Sequence, residues 1–149
     1  MNTTTNKPIF GMRKASQDMR TIRGFLGDRQ AQAIADGCRG EERQFFYEKL
    51  DELARIVKAM PKSYETDGQG DDAIAHLHYF TAEWDWYITE KDGDPDGQGQ
   101  IQAYGMVDGW ERERGYVSIK EITRAGAELD LHWEPISLRQ VIEGNRGAA

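Results

Sequence analysis

A single cysteine, Cys38, stands among 149 residues. The chain can therefore form no internal disulfide, and no thiolate metal site without ligands of other kinds. Cys38 reads as a small apolar residue near a turn. Long apolar runs are also missing: no stretch approaches the roughly 20 residues that a membrane-spanning helix needs. The first dozen residues carry one lysine and lack the basic start and apolar middle of a secretory signal. A cytoplasmic protein with a frayed N-terminus and no membrane association is expected. There is no G-x-S-x-G elbow, no grouping of serine, histidine and acid with a known spacing, and no glycine-rich phosphate loop after a strand. No catalytic residue and no cofactor is expected from these patterns.

What is present is charge, unevenly placed. Residues 1–62 hold 12 Lys/Arg against 8 Asp/Glu, whereas residues 63–134 hold 5 against 17, and residues 135–149 hold 2 against 1. The middle block is thus −12 in a chain of net charge −7. Such a block repels phosphate and attracts basic surfaces, which argues against direct nucleic-acid binding by residues 63–134 and for a protein partner with a basic surface. The length is that of one domain, enough to bury about two-thirds of the unfolded surface.

Periodicity divides the chain into a helical part (1–62), a linker (63–72), a β-rich part (73–142) and a tail (143–149). In residues 41–60, Phe46, Leu50, Leu53, Val57 and Met60 recur at steps of three and four, the stripe of an amphipathic helix that Pro61 helps to end. Met19, Ile22, Phe25 and Leu26 predict a shorter helix ending near Gly27. Asp28 then reads as the N-cap of a helix through Asp36, with Gly37 as a left-handed stop. Residues 63–72 have the glycine and aspartate content of a mobile connection. After them the period becomes two, with strands expected at 73–80, 84–90, 101–107 and 127–133. The last places Ala127, Leu129, Leu131 and Trp133 on one side, giving a meander with one core face and one wet face. Ser118 with Glu121, and Ser137 with Gln140, have capping-box spacing. The expected fold is α+β, with N-terminal helices packed on a C-terminal antiparallel sheet of about four strands.

Two patterns could carry chemistry. Asp92, Asp94 and Asp96, with Gly93 and Gly97, resemble the opening of a calcium-binding EF-hand loop, but Gly99 and Ala103 stand where an aliphatic residue and a bidentate glutamate are needed. They read as an acidic hairpin loop. Gly70, His76, His78 and Glu83 have the spacing of the first half of the cupin metal motif, and alternation would aim both imidazoles to one face. His76, His78 and Glu83 are therefore the alternative site, that of a small metal-binding or metal-dependent enzyme domain. Its weaknesses are Glu90 in place of a required glycine and the lack of a second motif. Of four tryptophans, Trp86 and Trp133 fall on apolar strand faces and read as core. Trp110 lies in the charged turn 108–115 and is the aromatic expected to contact a partner.

In chain order, residues 77–80 (LHYF), 86–90 (WYITE), 104–109 (YGMVDG), 114–122 (RGYVSIKEI) and 128–135 (ELDLHWEP) resemble the domain of unknown function 2958. Residues 26–30 (LGDRQ) through Gly37 are similar to that family's N-terminal helix. Residues 41–60 and 63–72 expand a region that is shorter there. The family is encoded largely on plasmids, phages and integrative elements, so the resemblance implies that genomic setting and no active residues. Charge and resemblance together lead to the expectation of a mobile-element accessory binding protein. It would mimic nucleic-acid charge against a host defence system of the restriction or CRISPR type, docking through Asp85, Asp92, Asp94, Asp96, Trp110, Glu111 and Glu113.

Overall fold

The computed structural model describes the backbone of residues 11–147 apart from Asp96 and Gln98, and side chains within residues 11–144. The expected frayed N-terminus, residues 1–10, lies outside the described residues. Three helices come first: α1 (Met12–Ile22), α2 (Asp28–Gly37) and α3 (Arg43–Ala59). α1 starts earlier than the stripe at Met19 implied, because Ala15, Asp18 and Ile22 all turn inward. It runs into a short 3-10 turn, Arg23–Phe25. Asp28 is the first residue of α2 and not its cap, a place taken by Gly27. Gly37 is not left-handed either; it is small because a Cβ there would lie 2.3 Å from the Phe46 ring.

α3 buries Leu50, Leu53, Ala54 and Val57 along one stripe. They share a core with Ile22 of α1, Ile34 of α2, and Leu77, Tyr79 and Ile88 of the sheet. Each such side chain contributes roughly 1.5–3 kcal/mol when taken out of water. Tyr79 is wholly buried, its hydroxyl donates to the Phe25 carbonyl, and burial holds its ionisation well above the ordinary value. Lys14 joins α1 to α3, its ammonium lying 2.6 Å from Asp18 and 3.0 Å from Asp51, while Arg55 reaches Asp51 at 3.0 Å.

The β part begins with the short strand β1 (Ile74–Ala75), then β2 (Leu77–Phe80), β3 (Asp85–Glu90), β4 (Ala103–Asp108), β5 (Arg112–Val117), β6 (Glu128–Leu129) and β7 (Ile136–Ser137). β5-β4-β3-β2-β6 form one antiparallel sheet of five strands, and β1 pairs separately with β7. The α+β architecture is therefore as expected, with one strand more. The added strand is β5, read from sequence as a charged turn. The expected strand at 127–133 keeps only two residues, because Asp130 accepts the His132 amide at 2.9 Å and its carbonyl the Trp133 amide at 3.3 Å, turning the chain.

That turn carries Trp133 to the other side of the sheet. There it packs with Ala75, Tyr87, Met106, Leu138 and Val141, and its indole N–H donates to the Ala75 carbonyl at 2.9 Å. The face expected to be wet is thus partly covered by a second core. It is closed by helix α5 (Leu138–Gly147), which extends into the residues expected to be a tail. The Ser137–Gln140 capping box forms in full before α5, each side chain accepting from the other's amide, whereas at the start of α4 (Ile119–Arg124) only half of the expected box is made, the Ser118 hydroxyl accepting from the Glu121 amide.

Residues 63–72, expected as a mobile linker, are pinned. Glu90, 3% exposed, accepts from the Tyr64 amide at 2.8 Å, the Thr66 amide at 3.0 Å and the Thr66 hydroxyl. Arg114 of β5 pairs with Asp71, and Arg139 of α5 lies 3.2 Å from Asp72. Among the described residues, no helix is long and apolar enough to cross a membrane.

Candidate functional site

The β3–β4 register sets where the acidic side chains go. Asp85 pairs with Asp108 at one end of the sheet and Glu90 with Tyr104 at the other. The connection carrying Asp92 and Asp94 is therefore at the opposite end from the β4–β5 turn that carries Trp110 and Glu111. The carboxylates expected to form one docking surface are split into two groups, and Asp96 lies outside the described residues.

Asp92 is not a surface charge. It is 6% exposed, its two oxygens accept from the Asp94 amide at 2.9 Å and the Gln102 amide at 3.1 Å, and its own amide donates to Gln100 at 2.7 Å. Its spacing to Asp94 reflects a turn closed on itself, in which the side chain replaces backbone partners. Asp94 is exposed beside it.

At the other end the β4–β5 hairpin turns through Gly109 and Trp110. Gly109 is required by packing, since a Cβ there would lie 2.5 Å from the Trp84 ring. Trp84 stacks on Trp86 with centroids 6.0 Å apart, and Trp86 leans on the main core. The turn thus rests on two rings anchored in the fold. Trp110 is 90% exposed, flanked by exposed Glu111 and Glu113, and exposed Glu83 lies in the turn between β2 and β3 at the same end. Arg112 of the edge strand β5 approaches Asp108 of β4 at 3.5 Å, an ion pair across the hairpin.

Asp85 belongs to a different cluster. His78 lies between two carboxylates, Nε2 being 2.7 Å from Asp85 and Nδ1 3.0 Å from Asp130. Its ring stacks on Tyr87 with centroids 4.8 Å apart and meets Trp133 at 5.1 Å. With both ring nitrogens occupied, neither offers a lone pair to a metal. His76 lies in the break between β1 and β2, half-buried, and burial lowers its proton affinity. No group of three or more His, Cys, Asp or Glu side chains is placed to hold a metal ion among the described residues. His76, His78 and Glu83 thus do not assemble the ligand set that their spacing proposed. The spacing gave no sign of Asp130, which the turn after β6 brings to His78 from 52 residues away.

Trp86 packs against the main core as expected, Trp133 packs instead against the second core on the other side of the sheet, and Cys38 is buried with a thiol that burial holds above its ordinary pKa. Comparison with protein-family models, curated proteins and solved structures finds no match.

Proposed function

We propose that the chain is a binding protein that docks on a basic surface of a protein partner through the tryptophan-bearing, acidic end of its sheet. In this reading Trp110 inserts as the apolar anchor, and Glu83, Glu111 and Glu113 present negative charge as nucleic-acid phosphates do. The resemblance to a mobile-element family supplies the setting: an accessory factor that blocks a host defence protein at its nucleic-acid surface. The observation that carries the proposal is the 90% exposure of Trp110 on a turn braced by Gly109 and Trp84. A large rigid aromatic left in water on a braced turn gains more on burial than any other side chain of the hairpin.

The test is capture from the natural host with the wild-type chain, followed by binding kinetics of the captured partner. Trp110→Ala should speed dissociation. Glu111→Gln with Glu113→Gln should slow association, more so at low salt, and double-stranded DNA should compete with the chain for the partner. Binding that ignores salt, DNA and all three substitutions would refute the proposal.

A further inference from the structure

A cleft of about 560 Å³ lies between the start of α2 and helix α4, on the helical side of the molecule and apart from the Trp110 hairpin. Its rim gathers four cations, Arg23, Arg29, Lys120 and Arg124, against two carboxylates, Asp28 and Glu128. In a chain of net charge −7 this is a local reversal of sign. Segment counting hid it, because two of the cations come from the basic first third and two from the acidic middle.

Three of the four cations are not spent on structure. Arg23 donates to the Leu26 carbonyl at 2.8 Å and pairs with Asp28, closing the corner between the 3-10 turn and α2. Arg29, Lys120 and Arg124 have no ion-pair partner among the described residues. Three free cations against Glu128 leave two positive charges, which balance the two negative charges of a phosphomonoester dianion.

The walls are fixed. Gln30 bonds both the amide and the carbonyl of Leu129 at 2.8 Å, fastening α2 to β6. Gly27 lets α2 lie against α4, since a Cβ there would meet Thr123 at 3.2 Å. No side chain caps α2, and the Asp28 carboxylate in its first turn is itself paired with Arg23.

From the cleft and the unpaired cations that line it we infer that this is a binding site for a phosphate-bearing small molecule of nucleotide size. Arg29, Arg124 and Lys120 hold the phosphate, and the space toward Gly99 and Gly126 takes the organic part. The volume is that of small-molecule sites, about 300–1,000 Å³.

The experiment follows backbone amide resonances of the full chain during titration with adenosine 5′-monophosphate, inorganic phosphate and adenosine. The monophosphate should saturably shift amides of residues 27–30 and 120–126, phosphate should shift the same amides more weakly, and adenosine should leave them in place. Arg29→Gln with Arg124→Gln should weaken the monophosphate by about tenfold or more, as expected for lost charge-assisted hydrogen bonds. Arg13→Gln, on the exposed side of α1, should change nothing, and unshifted resonances elsewhere report that the variants fold. No saturable shift at about 10 mM ligand, where even millimolar affinity is seen, would overturn the inference. So would shifts independent of Arg29 and Arg124, or tighter binding of a single-stranded oligonucleotide than of the monophosphate through these residues.

Discussion

Replacing Glu90 with glutamine tests whether residues 63–72 belong to the folded unit. The side chain is 3% exposed and accepts three hydrogen bonds, from the amides of Tyr64 and Thr66 and from the Thr66 hydroxyl. It also holds Tyr64 at φ 72, a left-handed conformation that costs a residue with a Cβ roughly 1–2 kcal/mol. Glutamine keeps one acceptor oxygen, which can serve the Thr66 side. Its amide nitrogen then faces the Tyr64 N–H, donor against donor. One hydrogen bond to a charged acceptor is lost and one donor is left unpaired, for a cost of about 2–3 kcal/mol. In a chain of this length that lowers the melting temperature by about 4–10 °C. Hydrogen exchange should speed first at Tyr64 and Thr66, while amides of α3 keep the protection of global unfolding. Unchanged exchange at both amides, with stability within about 0.5 kcal/mol of wild type, would refute the idea that Glu90 anchors this segment.

Leu129, 2% exposed in the main core, should cost about 2–5 kcal/mol on replacement by alanine, read as a shift of the urea midpoint at constant slope. Lys14→Met should cost about 2–4 kcal/mol by leaving buried Asp18 unpaired, and Lys14→Met with Asp18→Asn should recover much of it in a double-mutant cycle. A chain insensitive to the single change would show that water serves Asp18 equally well. His76 gives a pH dependence of known sign. Burial holds its folded pKa below the 6.5 of the exposed imidazole, so its contribution is complete above that value and is lost as pH falls through it toward the folded pKa. Melting temperatures between about pH 7.5 and 5.5 should therefore fall less steeply in His76→Gln than in wild type; equal slopes would exclude the assignment.

The helical stripe of α3 and the serine caps at Ser118 and Ser137 were legible in the sequence because each depends on residues within one or two turns of one another. Gln140 answers Ser137 across three residues, and nothing elsewhere in the fold needs to be known. β5 was illegible because an edge strand is not obliged to look like one. Arg112, Glu113 and Arg114 are all exposed, so no apolar alternation marks the strand, and their charges deter pairing with another chain. The His78 cluster failed for the opposite reason. Motif spacing put His76, His78 and Glu83 together, whereas the partners that hold His78 are Asp85 across the hairpin and Asp130 beyond β6. The basic cleft was hidden likewise, assembled from residues about 100 apart.

Charge counted along the chain and charge available to a partner are different quantities, and the difference narrows the docking proposal to a sharper test. Of the acids in residues 63–134, Asp71 and Asp72 are paired with Arg114 and Arg139, Asp85 and Asp130 hold His78, Glu90 and Asp92 close loops, and Asp108 faces Arg112. Glu83, Glu111 and Glu113 are exposed with no side-chain partner among the described residues, and they stand at the Trp110 end of the sheet. Neutralising these three to glutamine should remove most of the salt dependence of partner binding while stability stays within about 0.5 kcal/mol per site. Asp92→Asn should do the reverse, costing about 1–3 kcal/mol through one unmade hydrogen bond in its loop and leaving association unchanged. The two variants are compared by unfolding midpoints and by association rates at two ionic strengths. If Asp92→Asn slows association while the triple substitution does not, the docking surface lies at the β3–β4 end, and the assignment to the Trp110 hairpin fails.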